Sequence, residues 1–92
     1  MKSNNETIVK NPGYHVRQIE KGVLGDISKI REELNELEDA VEQGVLIMAA
    51  VELSDLLGAI EAYAAKYHGL SLSDIIKMKE VTERAFLSGR RR

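Results

Sequence analysis

Two pairs of carboxylate residues in this sequence have the spacing that places both members of a pair on one face of a helix. Glu33 and Glu36 are three residues apart, as are Glu52 and Asp55. Two like charges ~4 Å apart repel by about 1 kcal/mol in water and by about 4 kcal/mol at an effective dielectric constant of 20. If the two pairs meet in one cleft, bound cations, protons or basic side chains must offset that repulsion.

The second pair lies in an unusual setting. Glu52 and Asp55 interrupt the run VLIMAAVELSDLLGAIEAYAA (45–65), which is otherwise almost entirely apolar and small. Carboxylate oxygens suit hard cations, so Mg²⁺ and Mn²⁺ are the first candidates for the positive partner. Magnesium commonly shares its coordination between carboxylates and substrate phosphates, so we expect a nucleotide's phosphate chain beside this site. The alternatives are solvated acids for the first pair and, for the second, a salt bridge to Lys77, Lys79 or Arg84.

Three helices are predicted to position these side chains. Asp26 is a candidate N-cap, and an amphipathic helix follows it as far as Gly44, which has the position of a C-terminal glycine cap. A second helix runs from about Val45 to His68 and stops at Gly69. Ser71 and Asp74 resemble a capping box that opens a third helix, which extends to about Ser88. Because the connections are very short, we expect antiparallel neighbours.

Helical rotation predicts which side chains of the first helix face the core. Its apolar stripe consists of Ile30, Leu34, Leu37 and Val41, with Glu33 and Glu36 on the flank of that stripe. The same rotation places Glu32 further from the core than Glu33. Three further acids are expected to point mostly toward solvent: Glu38, Asp39 and Glu42.

The second helix is apolar on most of its surface. One face carries Leu46, Ala49, Ala50, Leu53, Leu57, Ile60 and Ala64, and the opposite side is small and nonpolar. Such a helix is usually covered on more than one side, and in a chain of 92 residues another subunit is the simplest source of cover. The predicted fold is therefore all-α, a short antiparallel helical bundle completed by homo-oligomerisation. We expect a flexible arm over 1–13 and one domain over 14–92, in which 14–25 form a short helix or an extended segment.

Composition narrows the classes of function. The net charge of −2 and the pI near 5.7 do not favour nucleic-acid binding, and no segment resembles a signal peptide or a membrane span. Cysteine is absent, so thiolate metal sites and disulfides are excluded. We expect a soluble, cytoplasmic protein. His15 and His68 show no spacing typical of metal ligands, and neither is predicted to belong to the site.

The two acidic motifs resemble those of a known superfamily. KIREELNE (29–36) and ELSD (52–55), separated by 15 residues, are similar to the E-E-x-x-E plus E-x-x-D signature of the all-α nucleoside triphosphate pyrophosphohydrolases. That superfamily includes the MazG-like proteins, the dimeric dUTPases and phosphoribosyl-ATP pyrophosphohydrolase. The resemblance covers roughly 22–90, and the pair of motifs is more specific than either half.

The resemblance implies an activity and a set of roles. It implies Mg²⁺-dependent cleavage of the α–β phosphate bond of a nucleotide, giving a monophosphate and pyrophosphate, by a homodimer or homotetramer. It assigns the metal to Glu33, Glu36, Glu52 and Asp55, with Glu32 in a supporting role and Lys29 at a position that is often lysine in MazG-like proteins. Glu36 is our candidate for orienting or deprotonating the attacking water. The candidate phosphate-binding cations are Lys29, Lys77, Lys79 and Arg84.

The substrate stays open at this point. A canonical or damaged deoxynucleotide would indicate nucleotide-pool control or house-cleaning, and phosphoribosyl-ATP is the alternative within the same chemistry. A different class of function is a noncatalytic helical interaction module, in which the apolar second helix docks a partner and the acids form a solvated rim.

Overall fold

All regular secondary structure in the part of the chain that the structure describes is helical. The computed structural model describes residues 15–87, in which α1 spans Ile27–Gln43, α2 spans Leu46–His68 and α3 spans Leu72–Leu87. The all-α prediction is confirmed, and both ends of α1 and α2 and the start of α3 lie within one residue of those predicted. The predicted end of α3 near Ser88 lies outside the described residues. The predicted arm over 1–13 and the C-terminal arginines lie outside the described residues.

The predicted helix ends are confirmed at both glycines and at the capping box. Gly44 and Gly69 have φ angles of 76° and 64°, a left-handed conformation that glycine adopts without the steric cost of a Cβ atom. At the start of α3, the Asp74 N–H donates to Ser71 Oγ at 3.1 Å. The Ser71 N–H in turn donates to Asp74 Oδ2 at 2.9 Å.

Asp26 occupies the N-cap position of α1, but its side chain does not cap that helix. Its Oδ1 instead accepts hydrogen bonds from Lys66 Nζ at 3.0 Å and from the Tyr67 hydroxyl at 2.8 Å. These contacts join the start of α1 to the end of α2. They fit the antiparallel arrangement that the Gly44 turn predicts.

The buried face of α1 is acidic, which corrects the predicted rotation. Asp39 is fully buried rather than solvated, and Glu32 is slightly less exposed than Glu33, at 3% against 6%. Glu36 and Ala40 complete this face. The local pattern misjudged it because the segment before α1, over 15–25, is non-helical and supplies donors to these carboxylates.

The apolar stripes of both long helices are largely exposed within the single chain. Leu34 and Val41 of α1 are 43% and 60% exposed, and Leu53 and Leu57 of α2 are 56% and 47% exposed. Other members of the predicted stripes are half-buried, among them Ile30 and Leu37 of α1, so the stripes face the interior of the subunit only in part. The buried apolar residues among those described are few and mostly small: Ile19, Ala40, Ala59 and Ala64.

Close helix packing within 15–87 is between α1 and α2, and α3 contributes little to it. The segment before α1 approaches that helix very closely at Gly22, where an added Cβ would lie 2.2 Å from the backbone oxygen of Ser28. The length and apolarity needed to cross a membrane are found together in none of the described helices.

Candidate metal centre

The two acidic motifs meet where α1 packs against α2. Glu33 of α1 offers a carboxylate oxygen within 4.8 Å of one from Glu52 and one from Asp55, both on α2. Glu32, Glu33 and Glu36 form a second group of the same dimensions along α1. The four residues that the sequence assigned to the metal are thus divided between two groups, which share Glu33. Glu52 is completely buried, whereas Asp55 is at the exposed edge.

Lys29 supplies one positive charge to this cluster. Its Nζ lies 3.2 Å from Glu33 Oε2 and 3.1 Å from Glu32 Oε1. Burial alone would lower the pKa of Lys29, but the two carboxylates outweigh burial and raise it. The lysine predicted to hold substrate phosphate is therefore also a counter-ion of the acidic cluster.

The carboxylate of Glu33 is incompletely satisfied. Its Oε1 is buried and accepts no hydrogen bond from the described residues, while Oε2 faces Lys29. Burial is the main cause that raises the pKa of Glu33 above its ordinary value; the charge of Glu36 adds to it, and Lys29 opposes it. A buried oxygen without a donor is costly, so this atom is a candidate ligand for a cation.

Glu32 has a different environment from the other acids of its motif. Its Oε1 accepts the Gly22 N–H at 2.8 Å as well as Lys29 Nζ. The side chain therefore ties the segment before α1 to the helix. Glu32 therefore stabilises the contact between this segment and α1, a role that the sequence pattern did not predict.

His15 enters the acidic cluster, although its position in the sequence did not predict this. Its Nδ1 lies 2.7 Å from Asp39 Oδ2, and its Nε2 lies 3.2 Å from Glu52 Oε2 and 3.7 Å from Glu36 Oε1. The imidazole is only 3% exposed. No helical spacing links His15 to these acids, because it lies in the non-helical segment and 24 residues before Asp39.

Asp39 anchors that segment to α1. Besides His15, it accepts hydrogen bonds from the Val16 N–H at 3.1 Å, the Arg17 N–H at 3.3 Å and Gln43 Nε2 at 3.0 Å. Burial favours a higher pKa for Asp39, but these hydrogen bonds outweigh burial and hold the pKa below its ordinary value. Asp39 is therefore an ionised acceptor.

The cations of α3 lie apart from this cluster in the single chain. Lys77, Lys79 and Arg84 are exposed, and Lys79 pairs with Glu83 on its own helix at 3.0 Å. Neither Lys77 nor Arg84 forms an ion pair within the described part of the chain. The alternative that one of them neutralises Glu52 or Asp55 within the subunit gains no support.

The residues present fit a hard divalent cation. Carboxylate oxygens from two helices converge, and Glu33 contributes a buried oxygen that lacks a donor. Such oxygen donors are those that Mg²⁺ and Mn²⁺ prefer. Three overlapping groups of the described residues could each hold an ion: His15, Glu36 and Glu52; Glu32, Glu33 and Glu36; and Glu33, Glu52 and Asp55.

Comparisons with protein-family models, with curated proteins and with solved structures gave no match. The resemblance to the pyrophosphohydrolases therefore depends on the acidic motifs of this chain and on the way its two long helices bring them together.

Proposed function

We propose that this chain is a divalent-metal-dependent nucleoside triphosphate pyrophosphohydrolase that forms a nucleoside monophosphate and pyrophosphate. One observation carries the proposal: Glu33 from α1 and Glu52 and Asp55 from α2 place carboxylate oxygens within 4.8 Å of one another at a largely buried contact. A bound cation would offset the repulsion among like charges so close together, and the spacing matches the motif of that superfamily.

The chemistry is the addition of water across the α–β phosphoanhydride. The water oxygen forms a bond to phosphorus, the bond to the bridging oxygen breaks, and the water protons are released to a base and to solvent. A bound Mg²⁺ or Mn²⁺ would neutralise phosphate charge and lower the pKa of a coordinated water. The reaction requires no serine, cysteine or histidine nucleophile.

Each residue of the cluster has a task in this proposal. Glu33, Glu52 and Asp55 hold the cation, and Glu36 both holds it and accepts a proton from the attacking water. Glu32 positions Lys29 and the Gly22 turn, as its hydrogen bonds indicate. Phosphate oxygens would then be bound by basic side chains, for which the candidates are the half-buried Lys29 and the exposed Lys77, Lys79 and Arg84.

We further propose that the active form is a homodimer or homotetramer. Support comes from the apolar stripes, since Leu53 and Leu57 of α2 and Val41 of α1 are all about half exposed or more. Exposed apolar surface of this kind is typical of an interface, and the small buried core of the subunit leaves stability to be gained by association. A second copy carries the complementary stripe by symmetry.

Pyrophosphate release provides the direct test. The purified chain is assayed with canonical and oxidised deoxynucleoside triphosphates and with phosphoribosyl-ATP, in the presence of Mg²⁺, of Mn²⁺ or of EDTA. We expect metal-dependent turnover of at least one substrate. Glu52→Gln should reduce kcat/KM at least about a hundredfold, because it removes a buried ligand from the charge-neutralising site.

The matched control is Glu61→Gln, the same substitution at an exposed position of α2. It should retain full activity. Turnover that survives Glu52→Gln would place the reaction elsewhere, and absence of turnover with every substrate would favour the noncatalytic interaction module. The exposed stripe of α2 is the observation that favours this second candidate.

A further inference from the structure

The environment of His15 places a proton on one of its two ring nitrogens. Asp39 receives two backbone N–H groups and the Gln43 amide in addition to the imidazole, and an ionised carboxylate can only accept. Nδ1 of His15, at 2.7 Å, must therefore be the donor in that contact. Nε2 is left to face Glu36 and Glu52.

The distances around Nε2 suit a shared cation. Donors that each lie about 2.1 Å from one metal ion are separated by about 3.0 Å at octahedral angles and by about 3.4 Å at tetrahedral angles. Nε2 lies 3.2 Å from Glu52 Oε2 and 3.7 Å from Glu36 Oε1. The first distance lies between these two values and also fits a hydrogen bond. The second is too long for a hydrogen bond and is about 0.3 Å longer than the tetrahedral separation.

The orientation of the ring is that of a metal-binding histidine. Such histidines commonly donate their other N–H to a carboxylate, which fixes the ring and increases the basicity of the coordinating nitrogen. Asp39 is that carboxylate here, and the imidazole is almost completely buried. Independent of His15, the buried Oε1 of Glu33 lacks a hydrogen-bond donor among the described residues, and Glu33 shares one ligand group with Glu36 and another with Glu52.

We propose that His15 is a metal ligand through Nε2, completing with Glu36 and Glu52 a mixed imidazole and carboxylate site that selects a first-row transition-metal dication over Mg²⁺. Imidazole coordinates Mn²⁺ and its heavier neighbours more readily than Mg²⁺, which favours oxygen donors and bound water. Asp39 is the positioning residue. The inference deepens the proposed function by naming the class of metal that its site takes.

Pulsed electron paramagnetic resonance of bound Mn²⁺ tests the proposal, because it detects hyperfine coupling to a coordinated imidazole nitrogen. The chain has two histidines, so a protein without a histidine tag has one other source of such a signal, His68. We expect the imidazole coupling in the wild type and in His68→Gln, and its loss in His15→Gln. His15→Gln should weaken Mn²⁺ binding about 10- to 100-fold and Mg²⁺ binding by a smaller factor.

Two results would overturn the proposal. Bound Mn²⁺ without imidazole coupling in the wild type would show that His15 serves as a hydrogen-bonding counter-ion and not as a ligand. Failure of the wild type to bind Mn²⁺ would remove the site itself. If His15→Gln does not fold, the wild type and His68→Gln still decide the question.

The nucleotide assay separates this proposal from the proposed function. Imidazole coupling without turnover of any nucleotide would reject the enzymatic activity and leave the His15 ligand in place. Turnover by a protein whose bound Mn²⁺ shows no such coupling would support the enzymatic activity and reject the His15 ligand.

Discussion

A short contact in the acidic cluster joins His15 to Asp39, with Nδ1 and Oδ2 separated by 2.7 Å. It links the non-helical segment before α1 to the middle of that helix. Because the backbone N–H groups of Val16 and Arg17 donate to the same carboxylate, one side chain holds three consecutive residues. The position of the imidazole within the acidic cluster therefore depends on Asp39.

Substitution of Asp39 should weaken the fold. Asp39→Asn replaces one carboxylate oxygen, which accepts hydrogen bonds, with an NH2 group, which donates them. Because this group would face three or more donors, buried N–H groups would lose their acceptor. We expect the free energy of unfolding, measured by urea titration in EDTA, to fall by about 2–4 kcal/mol. Glu38→Gln alters an exposed neighbour and should change it by less than about 0.5 kcal/mol. Equal effects of the two substitutions would contradict the anchoring role.

The same carboxylate predicts a dependence of stability on pH. The pKa of Asp39 is lower in the folded protein than in the unfolded chain, because its hydrogen bonds outweigh its burial. A group of this kind stabilises the fold above its unfolded pKa, and the stabilisation is lost as pH falls through the folded pKa. The free energy of unfolding should therefore decrease below about pH 4, with a shallower slope in Asp39→Asn. Parallel slopes for the two proteins would refute this assignment.

Glu33 should behave in the opposite sense when no metal is bound. Burial raises its folded pKa above the unfolded value, so its ionised form costs stability at pH above the folded pKa. In EDTA at pH 7, Glu33→Gln should unfold at a higher urea concentration than the wild type, and the difference should vanish below about pH 4, where the wild-type side chain is protonated.

Added metal should reverse that order. The wild type gains stability in proportion to metal occupancy, whereas Glu33→Gln has lost a ligand and gains less. Glu80→Gln, an exposed change on α3, provides the control and should follow the wild type with and without metal. If Glu33→Gln is the less stable protein in EDTA, its carboxylate is satisfied by protein contacts and the argument for a cation is weakened.

Local signals in the sequence were sufficient for the helices but not for their rotation. The helix ends depend on contacts within a few residues, at Gly44, at Gly69 and at the capping box of Ser71 and Asp74. The positions of these ends could therefore be predicted from the local sequence. The buried acidic face of α1 depends on contacts with residues far away in the chain. Asp39 is satisfied by donors that lie 22 to 24 residues earlier, and this information is absent from the helical pattern.

The candidate metal centre was predictable only in part for the same reason. Two carboxylates at helical spacing on each helix indicate a cluster once the helices are taken as antiparallel neighbours, so Glu33 and Asp55 could be placed together. His15 has no periodic relation to either helix. Only the path of the chain before α1 brings its ring to Glu52.

Gly22 is expected to be essential for that path. An alanine Cβ there would lie 2.2 Å from the Ser28 carbonyl oxygen and 2.5 Å from the Lys29 nitrogen, both backbone atoms that cannot move aside cheaply. Gly22→Ala should lower the free energy of unfolding by about 2 kcal/mol or more and disturb the hydrogen bond to Glu32. Gly58→Ala is the control, because its Cβ meets nothing within 4 Å and alanine is the better helix former. Similar losses at both positions would indicate that the close approach at Gly22 is not required.

The exposed stripe of α2 predicts how association responds to charge. Leu53 is 56% exposed in the single chain, so Leu53→Glu should leave the helical content unchanged. Burial of a leucine contributes about 1.5–3 kcal/mol, so its replacement by a charged side chain should raise the dissociation constant of the oligomer more than tenfold. Ser54→Glu adds the same charge at a neighbouring polar position and should have a smaller effect. Light scattering after size-exclusion chromatography measures both, and a wild type that stays monomeric at every concentration would show that the stripe serves another partner.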